Sequence, residues 1–246
     1  MKKILLFAAV LFCVIKINAQ QTNFEQLNEK ALQAYVNSSI FMWKQLALQA
    51  NKILFDENTS QESKIFAIKI KYGLLYTCLS NQDEETFEQY LEDTENQLKV
   101  LMREYESSSE LFVISAGIMS IQMGFSPMKG MTLGALSGQH IEKALRLDSL
   151  NAMAWRQYAS SKYFTPKMWG GDINEAIQKY EHAVSLYEKQ NLTNDWTYLD
   201  AITWLGIAYQ KVGEKEKAAA AYNKALQVAP DFGWVKNSLL PSLSKS

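Results

Sequence analysis

The chain has 246 residues, of which 48% are apolar and 21% charged, with four prolines and a formal net charge of −1. That is enough apolar material for one continuous core, and the near balance of charge excludes the basic stripe with which nucleic-acid binders displace phosphate counterions.

The N-terminus reads as a secretory signal peptide: Lys2-Lys3, an apolar run from Ile4 to Ile15, and a short polar stretch ending at Ala19, where cleavage is expected. A run of twelve residues is too short to span a bilayer, and Lys16 follows it directly, so an N-terminal anchor is disfavoured. A lipoprotein would need a small residue before Cys13, and Phe12 stands there. The expectation is an exported protein, periplasmic or secreted, with no membrane span in the mature chain. Removing residues 1–19 takes away Lys2, Lys3 and Lys16 and no acid, moving the formal charge from −1 to −4. Cys13 leaves with the signal, so Cys78 can form no intrachain disulfide and reads as a small buried apolar residue.

Residues 20–106 form an N-terminal helical region. Glu25 to about Leu54 reads as one long helix or two, with Asn37-Ser38-Ser39 as the weak point, and Thr59 with Glu62 caps a helix running to about Leu79. From Thr86 to Tyr105, apolar residues recur at helical period. The acidic runs Glu84-Glu85 and Asp93 to Glu95 read as a solvated face. This region is either a set of divergent repeats or an unrelated helical subdomain. No strand signal is present.

Residues 107–246 carry clearer punctuation. Ser107 with Glu110 caps a helix through Met123. Two loops of one design follow, because Phe125-Ser126-Pro127 and Phe164-Thr165-Pro166 each precede an alanine, Ala144 and Ala183, that lies 17 residues after the proline. Between them a helix is expected from Ala152 to about Phe164. Gly130, Gly134 and Gly138 recur every four residues at the start of a helix, just after Lys129, as an anion site, a close helix contact or a flexible loop entry. Asp172 with Glu175 has the form of a capping box for a helix reaching about Gln190. Asn194 and Asp195 then precede a helix from Trp196 to Lys211, Gly213 marks a turn, and Glu214 to Val228 forms its partner. After Pro230, the segment Phe232 to Leu243 suits a terminal capping helix.

Leu205-Gly206, Tyr209, Ala218, Tyr222, Ala225 and Pro230 together resemble the tetratricopeptide repeat, an antiparallel helix pair that stacks into a solenoid. Ala176, Tyr180 and Ala183 reproduce the second half of that spacing one unit earlier. The resemblance implies an all-α fold, an antiparallel helix-pair solenoid with a C-terminal capping helix and nine or ten helices. The stretches Phe164 to Asp172 and Ala229 to Asn237 are also similar to those of uncharacterised exported tetratricopeptide proteins of Bacteroidota-type bacteria. Gly170-Gly171-Asp172 further resembles an element of helical-repeat subunits that work with periplasmic solute transporters.

In the repeat family the first helix of each pair lines a concave groove. Transferred to this chain, the groove positions are Asp200, Thr203, Ile207, Gln210 and Lys211, and in the preceding unit Met153, Arg156, Ser160 and Tyr163. Arg156 and Lys211 read as candidate holders of an acidic group or as ordinary surface charges. The paired loops supply a second candidate surface. Phe125, Met128, Lys129 and Met131 belong to one loop, and Phe164, Lys167, Met168 and Trp169 to the other; they either cover the helix stack or wall a binding site. His140 and His182, the two histidines of the chain, fall in no metal-binding spacing. No cofactor, metal or catalytic constellation is expected. The leading functional expectation is a protein-interaction scaffold of the cell envelope that binds a protein or peptide partner. The alternative is a periplasmic small-molecule-binding component working with a transporter, which an enclosed apolar pocket would favour.

Overall fold

The computed structural model describes residues 24–244, and the expected signal peptide, with Cys13, lies outside them. The described residues are helical nearly throughout, with no strand. A first helix, α1 (residues 24–36), is followed by α2 (Ile40–Phe55), α3 (Gln61–Asn81), α4 (Glu84–Glu104) and α5 (Ser109–Phe125). A 3₁₀ turn (Pro127–Lys129) leads into α6 (Gly130–Leu147), and after α7 (Ala152–Phe164) a second 3₁₀ turn (Lys167–Trp169) leads towards α8 (Ile173–Lys189). Then come α9 (Trp196–Lys211), α10 (Lys215–Val228), a π-wound segment (Val235–Leu239) and a final α11 (Leu240–Ser242).

Capping side chains explain where these helices start. Asp83, Asn151 and Asp195 accept hydrogen bonds from the backbone N–H groups of Thr86, Ala154 and Thr197, and Asp172 accepts from both Asn174 and Glu175. Each such cap stabilises its helix by about 1 kcal/mol. The N-terminal stretch is two helices, because Ser38 adopts φ 47° and Ser39 caps α2. Two starts differ from the sequence reading by a residue or two. Ser60, not Thr59, caps α3; α5 begins at Ser109, whose hydroxyl donates to the Ala144 carbonyl across the stack instead of capping its own helix. The Asp172 box is half made, since Glu175 turns to Lys162 and Tyr158.

Helices α3, α5, α7 and α9 form an inner row in which each touches the next, and α4, α6, α8 and α10 pair with them on the outside. This is the expected all-α solenoid. In the last pair a Cβ on Gly206 would overlap the Tyr222 ring, so only glycine lets α9 and α10 approach this closely, while Ala218 and Ala225 are fully buried at the crossing. Ala176, Tyr180 and Ala183 occupy the same fully buried places one unit earlier.

Local pattern did not reveal that the curl closes on itself. Trp196 of α9 sits among Tyr35 of α1, Trp43 of α2, and Tyr72 and Tyr76 of α3, with ring centroids 5.6–5.7 Å apart. Lys69 of α3 pairs with Asp195, and Asn28 of α1 donates to the Asn194 carbonyl at 3.1 Å. The concave side of the C-terminal units is therefore filled by the chain's own N-terminal helices. The acidic stretch of α4 is not merely solvated: Asp93 and Gln97 hold the buried ammonium of Lys71, and Glu95 accepts from Gln122 at 2.8 Å. Cys78 is fully buried, and burial, with the nearby Asp83 charge, pushes its thiol up to about 12. Among the described residues no helix is long and apolar enough to cross a membrane.

Candidate functional site

Where the inner row curves, the helices leave a cavity of about 1000 Å³. Its outer wall is unusually bare. Gly130, Gly134 and Gly138 of α6 line it together with Gly117 and Gly124 of α5. A Cβ on Gly138 would meet nothing within 4 Å, and one on Gly130 or Gly134 would only touch the Met123 sulfur at 4.0 Å. The α6 glycines thus make no close helix contact; they expose backbone to the cavity. Rings and side chains from α7, its following loop and α9 line it too, chiefly Phe164, Trp169 and Trp204, with Pro166 and Gly170.

The floor is polar and tightly wired. Asp200 is fully buried, and its Oδ1 accepts from Tyr35 at 2.9 Å and Tyr76 at 2.6 Å, while its Oδ2 accepts from Arg156 Nε at 2.6 Å and pairs also with Nη2. Arg156 Nη1 donates to the Tyr72 hydroxyl at 3.1 Å and to Gln157 Oε1 at 3.3 Å, and Gln157 donates on to Ser120 at 2.9 Å. Trp204 is fixed by its indole N–H, which donates to Tyr76 at 3.1 Å. Burial opposes the charge on Arg156, but Asp200 and the surrounding tyrosines more than offset it and hold the guanidinium well above its usual range. Burial, reinforced by Asp200, also keeps Tyr35 and Tyr76 protonated far above their usual range. These phenols are hydrogen-bond donors at any physiological pH.

The sequence candidates separate into distinct places. Both loops reach the cavity, one through Pro127 and Gly130 and the other through Pro166, Trp169 and Gly170. Met128, Met131 and Met168 instead stand 76–82% exposed around it, with Lys129 and Lys167 also exposed. Phe125 turns inward and packs on Phe87 at 4.5 Å, away from the loop wall. The groove positions need correction, because α1 and α3 occupy the concave side. Met153, Asp200 and Thr203 are buried, and Arg156 is 1% exposed with every donor nitrogen committed to the protein, so none of these four is an open groove contact. Arg156 and Ser160 still line the cavity. Tyr163, Ile207, Gln210 and Lys211 border an adjoining shallow groove with Trp234 and Leu239, which shares Phe164 and Trp204 with the cavity, and the Lys211 ammonium lies over the Tyr163 ring at 4.4 Å.

Several lining residues escaped the sequence reading, notably Tyr72, Tyr76, Gly117, Gly124 and Trp204. Tyr72 and Tyr76, four apart on α3, share a face, but only the closure of the curl brings them to α9. Both histidines pack against rings: His140 edge-on to Phe112 at 5.4 Å and His182 edge-on to Trp155 at 4.8 Å. Among the described residues, no group of three or more His, Cys, Asp or Glu could hold a metal ion.

Residues 200–232 match the tetratricopeptide repeat family model. No curated protein matches the chain. Among solved structures, the chain is similar to the HusA haemophore from Porphyromonas gingivalis, with a TM-score of 0.62 at 19% identity over 76% of this chain and 94% of that one. It also matches the MamA protein, with a TM-score of 0.39 at 18% identity over 71% of this chain and 87% of that one. At these identities the likeness concerns fold alone. The chain is an all-α solenoid of antiparallel helix pairs, and its unit over residues 200–232 matches the tetratricopeptide repeat.

Proposed function

We propose that this protein is an exported binding protein that captures a small, mainly apolar molecule in the cavity between α5, α6, α7 and α9. The observation that carries this reading is the cavity itself, about 1000 Å³ and lined by both bare glycine backbone and aromatic rings. Ligand pockets commonly measure roughly 300–1000 Å³ and combine apolar walls with a few convergent polar groups. Bare glycine backbone and the indoles of Trp169 and Trp204 in one cavity favour a flat molecule, which can touch both. Because a haemophore shares the fold, a tetrapyrrole is the first ligand to try.

The test is haemin titration followed by tryptophan quenching, with oleate as a second probe, on the mature chain and on a Gly134→Leu/Gly138→Leu variant. A Cβ meets nothing within 4 Å at Gly138 and only the Met123 sulfur at 4.0 Å at Gly134, so the variant should fold and lose at least tenfold in affinity. No saturable binding of either probe, or binding that ignores the two leucines, would refute the reading.

A scaffold role, in which a protein or peptide partner docks in the cell envelope, is the second reading. It draws on the repeat match and on Met128, Met131 and Met168, exposed apolar side chains in and beside the two loops that reach the cavity. Retained capture of a partner by the leucine variant, and its loss in a Met128→Ser/Met168→Ser variant, would favour it.

A further inference from the structure

No Asp or Glu lines the cavity, and the two cations that do, Arg156 and Lys162, are already balanced by Asp200 and Glu175, so any unpaired charge near it comes from the loops. Lys129 ends the 3₁₀ turn of one loop that reaches the cavity and Lys167 begins the 3₁₀ turn of the other; both are exposed and make no ion pair among the described residues. The loop segments 125–134 and 164–171 contain no acid at all, in a chain with 26 acidic and 25 basic residues. The nearest carboxylates are already engaged: Asp172 caps α8, although it also feels Lys167, and Glu175 pairs with Lys162 at 2.8 Å. Helix α6 also starts at the mouth with no acid in its first turn and no capping side chain, so the positive end of its dipole is not neutralised there.

From this arrangement we infer that the ligand is an amphipathic anion, an apolar body held in the cavity with a carboxylate or similar acid left at the mouth between Lys129 and Lys167. The inference rests on the cavity being a ligand pocket and adds the class of molecule it selects. Long, flexible lysines at a wet rim suit this role, since they can follow the acid without its being desolvated, and their contribution should fall with salt. A neutral apolar molecule of the same shape would gain only the cavity contacts.

The decisive comparison uses 1-pyrenebutyric acid and its methyl ester, which share one apolar body and differ in charge. Both are titrated by pyrene fluorescence against the full mature chain and against a Lys129→Gln/Lys167→Gln variant, at low salt and in 0.5 M salt as the order of magnitude that screens within a few ångströms. Expected is about tenfold tighter binding of the acid than of the ester at low salt, narrowing in high salt, with the double variant losing the difference and leaving the ester unchanged. Equal binding of acid and ester to the wild-type chain, or a double variant that weakens both alike, would overturn the anion inference while leaving the cavity reading intact. Binding of neither compound would remove both.

Discussion

Asp200→Asn isolates the tie on which the closed curl depends. The substitution keeps the shape of the side chain and removes its charge, leaving Arg156, 1% exposed, without a counter-ion. It also replaces an acceptor by an amide N–H₂, which must face either the guanidinium or the hydroxyls of Tyr35 and Tyr76, all of which donate to Asp200 now. Breaking a buried pair by removing one partner destabilises by about 3–5 kcal/mol. For a chain of this size that corresponds to a fall in Tm of roughly 6–20 °C, at about 2–4 °C per kcal/mol. Urea unfolding followed by tryptophan fluorescence reads the change directly, since Trp196 packs on Tyr35, Tyr72 and Tyr76. Hydrogen exchange should show α1 opening before the α7–α8 pair, because α1 loses the Tyr35 contact to α9. Replacing the pair by apolar residues, Asp200→Leu with Arg156→Met, should recover part of the loss, as removing both charges leaves neither stranded. A single Asp200→Asn variant destabilised by less than about 1 kcal/mol would refute the claim that Asp200, held by Arg156 and by Tyr35 and Tyr76, secures the closure.

Two glycines should respond in opposite senses to alanine. Gly206→Ala should destabilise by about 1–3 kcal/mol, because its Cβ enters the Tyr222 ring; Gly138→Ala, pointing into open space, should stabilise by up to about 1 kcal/mol through helix propensity, with both read as urea midpoints. His140 should make stability depend on pH. Burial, with Lys143 nearby, holds its folded pKa below 6.5, so between 6.5 and that lower value the unfolded chain binds a proton that the folded chain does not. Stability is therefore complete above about pH 6.5 and declines as pH falls through that window, and His140→Gln should flatten this part of the profile. A profile unchanged by the substitution would show that the imidazole is not the cause.

The C-terminal half was readable because its packing is local. Gly206, Ala218, Tyr222 and Ala225 meet one another within a single helix pair, so their spacing alone fixes where α9 and α10 cross. The two proline loops were readable for a similar reason, as repeated offsets imply stacked units. The concave side was not. Asp200 occupies a groove position by repeat logic, but its partners Tyr35 and Tyr76 lie 165 and 124 residues away, and no periodicity carries that information. The α6 glycines show the same limit, since their spacing does not distinguish a helix contact from a cavity wall. What separates the two is the absence of any atom near Gly138.

The reach of Tyr35 to Asp200 has a consequence for how the molecule assembles. Open solenoids can begin folding at any unit and spread, because each unit answers only to its neighbours. Here an early helix must wait for a late one, across 165 residues, before either buries its polar groups. Loop closure of that length slows the final step and leaves Trp43, Tyr72 and Trp196 uncovered until it happens. During synthesis the incomplete chain would thus present a sticky aromatic seam, and its protection would fall to chaperones until the last pair of helices had emerged.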